Sequence, residues 1–329
     1  MLKDLPLADD KQYILAIKKR IVALKKEKKA IIVAHNYERP EIQDIADILG
    51  DSLELSRAVT KVAAKVVVFC GVHFMAETAS ILNPHKKILI PVKEAGCPMA
   101  DMIDLKGLLK LKKASPGVPV VCYVNSSAEV KAESDVCCTS SNALDIVASL
   151  PDKKIIFVPD RNLGSYIQTK LPEKDILLWE GFCPTHMRIA EEEIITCKKQ
   201  HPKAKFMAHP ECPQRLLKHA DYIGSTSGML KYSKSTKAKE IIVGTERGMI
   251  HRLKRENPGK KFYSPSEHFI CADMKLTTLG WLLHSLENMV YEVKVSEKIR
   301  KKSVEALNKM LKCMPASNKK TKETKREKR

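Results

Sequence analysis

The chain has 329 residues, 44% hydrophobic and only 5% aromatic, which is enough for a sizeable core, too long for one small domain and suited to aliphatic α/β layers. Its formal charge of +19 invites a nucleic-acid reading, but much of the excess sits at the ends: NKKTKETKREKR from Asn318 holds seven Lys or Arg against two Glu, and KKRIVALKKEKK precedes the first apolar run. Terminal charge runs are ordinarily solvated, no apolar run approaches the roughly 18 residues that span a bilayer, and MLKDLPLADDKQ lacks the basic-then-apolar order of an export signal, so a cytoplasmic protein with reduced cysteines is expected.

Short β-branched runs follow in chain order: AIIVAH, AKVVVF, KILIPV, VPVVCYV, KIIFVP, DILLWE, AKFMAH, KEIIVG and KKFYSP. Helical stretches separate them, such as RPEIQDIADILG, with Pro at its start and Gly at its end. This alternation is the mark of parallel sheets covered by helices.

The pattern also repeats. From His35, Asp47 lies 12 residues on and Ser52 lies 17 on; Tyr123 leads in the same way to Asp135 and Ser140, and His209 to Asp221 and Thr226. Further downstream, Cys97, Cys183 and Cys271 follow these leading residues by 62, 60 and 62 positions. The expected architecture is therefore three similar α/β units with short parallel sheets, arranged by pseudo-threefold symmetry around a central site. The expected boundaries are 1–112 with an N-terminal basic helix, 113–200, 201–290, a C-terminal helix over 291–315 and a basic disordered tail over 316–329.

Each repeated cysteine is expected after its unit's third strand, where a helix begins; Pro98 and Pro184 mark two of those starts. A helix N-terminus favours thiolate, so the three are candidate metal ligands that converge near the pseudo-threefold axis. Three thiolates suit a [4Fe–4S] cluster with one iron free to act as a Lewis acid; a zinc site is the competing reading. The other seven cysteines read as small buried hydrophobes. A second set lies at strand ends, where parallel sheets bind ligands: His35, Tyr123 and His209; two residues on, Tyr37, Asn125 and Glu211; and the hydroxyls Ser52, Ser140 and Thr226. Taken singly, such a hydroxyl is more often a helix cap; their equivalence favours an anion site. Asp47, Asp135 and Asp221 read as turn residues near helix ends.

These residues stand in AHNYERPEIQDIAD, GDSLEL, GVHFMAETASIL, AGCPMAD, YVNSSAEVKAESD, CTSSNA, PDRNLG, WEGFCPTH, AHPEC, GSTSGML, GTERGMIHRL and CADMK. The set resembles the quinolinate synthase family, iron–sulfur enzymes of NAD biosynthesis, over roughly residues 30 to 285. The resemblance implies condensation of iminoaspartate with dihydroxyacetone phosphate, with loss of phosphate and water. It implies a [4Fe–4S] cluster on Cys97, Cys183 and Cys271, and substrate contacts from His35, Ser52, Tyr123, Asn125, Ser140, His209, Glu211 and Thr226. Proton transfer falls to Tyr37 and Glu211, with Tyr123 and His209 beside them as catalytic residues. As the only carboxylate among the nine strand-end positions, Glu211 is expected to have a raised pKa, or else to be a plain helix-start Glu. An aspartate oxidase or dehydrogenase would supply the imine; neither a membrane nor a nucleic acid is expected as partner. The C-x-x-C-x-x-C run of some members is missing around Cys271. The rival class is a basic iron–sulfur protein that binds nucleic acid or senses redox state, and a zinc-dependent lyase is a third option.

Overall fold

The structure, a computed structural model, describes residues 11–313; the basic tail expected over 316–329 lies outside the described residues. Among these residues, twelve strands form three four-stranded sheets. The first holds β1 (Ala30–His35), β2 (Ile48–Gly50), β3 (Val66–Cys70) and β4 (Lys87–Leu89). The second holds β5 (Val120–Tyr123), β6 (Val136–Cys138), β7 (Lys154–Val158) and β8 (Asp175–Leu178), and the third β9 (Lys205–Ala208), β10 (Tyr222–Ile223), β11 (Glu240–Gly244) and β12 (Lys261–Tyr263). All pairs are parallel and the order is the same each time: second, first, third, fourth. The registers agree as well, since His35 pairs with Gly50, Tyr123 with Cys138 and Ala208 with Ile223.

Both faces of these sheets are covered, which is why the strands read as unbroken apolar runs. One core draws on all three units, with Val33, Val121 and Ile241 among its members. The outer face of the first sheet is closed by helix Lys11–Glu27, through Ile17, Ile21 and Leu24, and by helix Leu279–Asn288. Helix Glu297–Lys312 lies on β6 and on helix Ala128–Ala132, burying Ala306, Leu307 and Met310.

The structure corrects the sequence reading at two places. The segment expected as one helix from Pro40 to Gly50 stops at Ile45, and Ile48–Gly50 is a strand. Strands β2, β6 and β10 were not expected, so each repeated cysteine follows its unit's fourth strand, not its third. The aspartates Asp47, Asp135 and Asp221 stand in turns two to four residues past helix ends, as expected. Each stands just before its unit's second strand and accepts, through Oδ2, the N–H of Ile32, Val120 or Phe206, every time at 2.8 Å. Each also donates its own N–H to the carbonyl of that same residue, which clamps second strand to first.

Candidate active site

The carboxyl ends of the sheets meet around one central cavity. Its wall contains His35, Tyr37, Ser52, Cys97, Tyr123, Asn125, Ser140, Cys183, His209, Glu211, Thr226 and Cys271, so all twelve residues nominated from the sequence come together. A wider open cleft along Glu192, His201, Arg247 and Tyr263 carries none of them.

Local capping explains why the hydroxyls are free to face the cavity. Helix Ser52–Lys61 is capped by Asp51 and helix Thr226–Ser235 by Ser225, so Ser52 and Thr226 are relieved of that duty. Thr226 Oγ1 instead accepts the Asn36 amide at 2.8 Å, and Ser140 Oγ lies 3.1 Å from His209 Nε2. The buried amide oxygen of Asn125 has no hydrogen-bond partner, as suits a group awaiting an N–H or O–H donor.

Glu211 sits at the centre of the polar network. Tyr123 donates its hydroxyl to Oε1 at 2.6 Å, while His186 Nδ1 lies 3.0 Å and His209 Nδ1 3.6 Å from Oε2. Burial alone would raise this carboxyl, but His209, His186 and the Tyr123 phenol outweigh it and hold it below the usual carboxylate range. The expected upward shift is therefore corrected. The helix-start reading also fails, because the next helix begins at Gln214 with Pro213 as its cap. Burial holds His35 and His209 down to about 4, neutral near pH 7, and pushes the Tyr37 and Tyr123 phenols well above their ordinary value. Tyr37 Oη lies 2.5 Å from Thr245 Oγ1, which lies 2.9 Å from His186 Nε2.

Cys97 and Cys183 cap the short helices Pro98–Asp101 and Pro184–Met187. Cys271 departs from that pattern, with only the 3₁₀ turn Met274–Leu276 beyond it. The helix-start amides favour the Cys97 and Cys183 thiolates as expected, but burial outweighs them. Burial pushes all three up, Cys271 to about 11, and the helix-start amides recover only part of this. A bound cation would reverse that balance, since coordination deprotonates a thiol outright.

The family model described as quinolinate synthetase A protein (NadA) matches residues 19–312. The quinolinate synthase of Alkaliphilus metalliredigens is 54% identical over 291 residues, 88% of this chain and 96% of its own. That of Thermodesulfovibrio yellowstonii is 53% identical over 88% of this chain and 96% of its own, and that of Dehalococcoides mccartyi (strain 195) is 53% identical over 91% and 99%. The chain belongs to the quinolinate synthase family.

As a quinolinate synthase family enzyme it carries one donor group that sequence reasoning missed. Cys183 Sγ, a ring nitrogen of His186 and a Glu211 oxygen lie within 4.8 Å of one another, close enough to hold a metal ion. The sequence reading also passed over Thr245, Glu246 and Asp51. Glu246 is fully buried and accepts Gly248 N–H at 2.6 Å, Cys271 N–H at 3.4 Å and the Lys275 ammonium at 2.8 Å, so it fixes the loop that carries Cys271. His186 was within reach in FCPTH, three residues past a nominated cysteine. Among the described residues no helix is long and apolar enough to cross a membrane.

Proposed function

We propose that the enzyme condenses iminoaspartate with dihydroxyacetone phosphate to quinolinate, with loss of phosphate and water. The observation that carries this reading is the cavity itself: three thiols, one from each unit, face a wall of three imidazoles, two phenols, an amide, three carboxylates and five aliphatic hydroxyls. That donor set fits a [4Fe–4S] cluster, because three cysteines and no fourth line the cavity. Cys97, Cys183 and Cys271 would hold it, and when bound it supplies an iron without a protein ligand as Lewis acid for a hydroxyl or carboxylate of the substrate.

The chain's own residues do the rest. His35, Ser52, Asn125, Ser140, His209 and Thr226 bind and orient the acidic substrate, and the burial of His35, His209 and Thr226 limits bulk water, so each hydrogen bond counts for more. Glu211, held ionised, takes a proton from carbon as general base; the phenols of Tyr37 and Tyr123, held protonated, are placed to donate. The imine is unstable, so an enzyme oxidising the corresponding amino acid, such as an aspartate oxidase or dehydrogenase, would supply it.

The test is anaerobic purification with iron, sulfide and zinc counts, followed by a quinolinate assay. Cys97→Ser, Cys183→Ser and Cys271→Ser should each lose iron, sulfide and activity, whereas Cys137→Ser and Cys138→Ser, in the β6 core, should keep most of both. A fully active Cys183→Ser protein would overturn the assignment. Zinc in place of iron and sulfide would favour a single ion at Cys183, His186 and Glu211.

A further inference from the structure

Behind the cavity hydroxyls lies a ring of polar side chains with one charged member. The residues just before Ser52, Ser140 and Thr226 are Asp51, Thr139 and Ser225. Each serves the backbone of its own loop. Asp51 Oδ1 accepts from Glu54 N–H at 2.8 Å, Thr139 Oγ1 from Ser141 N–H at 3.3 Å and Ser225 Oγ from Gly228 N–H at 3.2 Å. A hydroxyl has one oxygen for this work, whereas a carboxylate has two. The second oxygen of Asp51, Oδ2, accepts the Ser141 hydroxyl of the second unit and the Ser227 hydroxyl of the third, both at 2.5 Å. Ser225 Oγ lies 2.8 Å from Ser141 Oγ and 3.1 Å from Ser227 Oγ, which closes the ring across the three units.

Each of the three cavity hydroxyls is thus the chain neighbour of a ring member. Asp51 borders the cavity, but Ser141 and Ser227 do not line it. A buried carboxylate beside an anion site would ordinarily oppose binding; here its charge is taken up by three donors. We propose that Asp51 is a positioning residue that holds the anion-binding loops of all three units in one register. It acts on Ser52, Ser140 and Thr226 through the ring and not by touching the substrate. The proposal rests on reading the cavity as a quinolinate site.

The experiment is calorimetric titration of the cluster-loaded full chain with quinolinate, alongside iron content and thermal midpoint. Asp51→Asn keeps the cap on Glu54 N–H but puts an amide where the shared acceptor was, and should weaken binding by about tenfold or more at unchanged iron content. Ser227→Ala touches no ligand and should weaken it by about threefold through Asp51 alone. The double variant should bind about as the Asp51→Asn protein does, because the serine acts only through the acid. A merely structural role would lower the thermal midpoint and leave affinity alone. Wild-type binding with Asp51→Asn unaffected, or fully additive losses, overturns the proposal. A wild-type protein that does not bind quinolinate overturns the functional reading and this proposal with it. Should Asp51→Asn fail to fold, Ser141→Ala and Ser227→Ala decide: unchanged affinity in both counts against the proposal.

Discussion

Replacing Glu211 by Gln keeps size and hydrogen bonding but removes a base. The variant should retain its metal content and bind quinolinate, yet lose roughly 10²-fold or more in turnover, because general-base catalysis is worth that much. Near-normal turnover would reject the role and leave Tyr37 as the leading candidate. The sequence pointed to this residue for a sound reason, the single carboxylate among nine equivalent positions, but misjudged its pKa. Burial follows from the strand-end position; the opposing donors do not. Tyr123 comes from the second unit and His186 from the short helix after Cys183, each brought to the carboxylate only by the assembly of the units.

At the scale of elements, the start of helix Gly248–Glu256 is where the third unit presses on the first. A Cβ on Gly248 would stand 2.6 Å from the Tyr37 carbonyl oxygen and 2.8 Å from Glu246 Oε2. Gln43 Nε2 donates to the Gly248 carbonyl at 2.8 Å, and the Lys275 ammonium reaches both Glu246 and the Tyr37 carbonyl, so little room exists for retreat. Gly248→Ala should therefore destabilise by about 1–3 kcal/mol, the usual cost of overpacking. Urea unfolding measures this, and an unchanged midpoint would show that the units separate freely at this seam. The elements the sequence hid are of a different kind. Strands β2 and β10, Ile48–Gly50 and Tyr222–Ile223, are edge pieces of three and two residues, too short for a period-two pattern to register. They exist because an aspartate just before each one bonds both backbone groups of the first strand, a tertiary contact with no local signature.

Across the whole molecule, a search for repeats recovers what the units share and passes over what one unit holds alone. His186 lies three residues past Cys183, where the other units have Ala100 and Met274; Thr245 lies 36 past His209, where they have Gly71 and Pro159. Both line or support the cavity. The same three-unit assembly buries ionisable groups from opposite sides, and this sets how stability varies with pH. Burial holds His35 and His209 at about 4 against 6.5 for the free side chain. Between those values the unfolded chain binds protons that the folded chain refuses, so stability falls as pH drops through the window, by about 3 kcal/mol per histidine at its acid end. Glu38 acts in the opposite sense. Both its carboxylate oxygens lack hydrogen-bond partners, and burial lifts it from 4.5 to about 8. Its folded form keeps a proton that the unfolded form releases, so stability is full below 4.5 and falls as pH rises toward 8, by about 4 kcal/mol there. The two trends place the maximum near neutrality. Urea midpoints at acid, neutral and alkaline pH check this with two variants: His209→Gln should flatten the acid side, and Glu38→Gln the alkaline side. A Glu38→Gln protein less stable than wild type at alkaline pH would mean that the ionised carboxylate is held by the nearby Lys275 ammonium strongly enough to outweigh its burial.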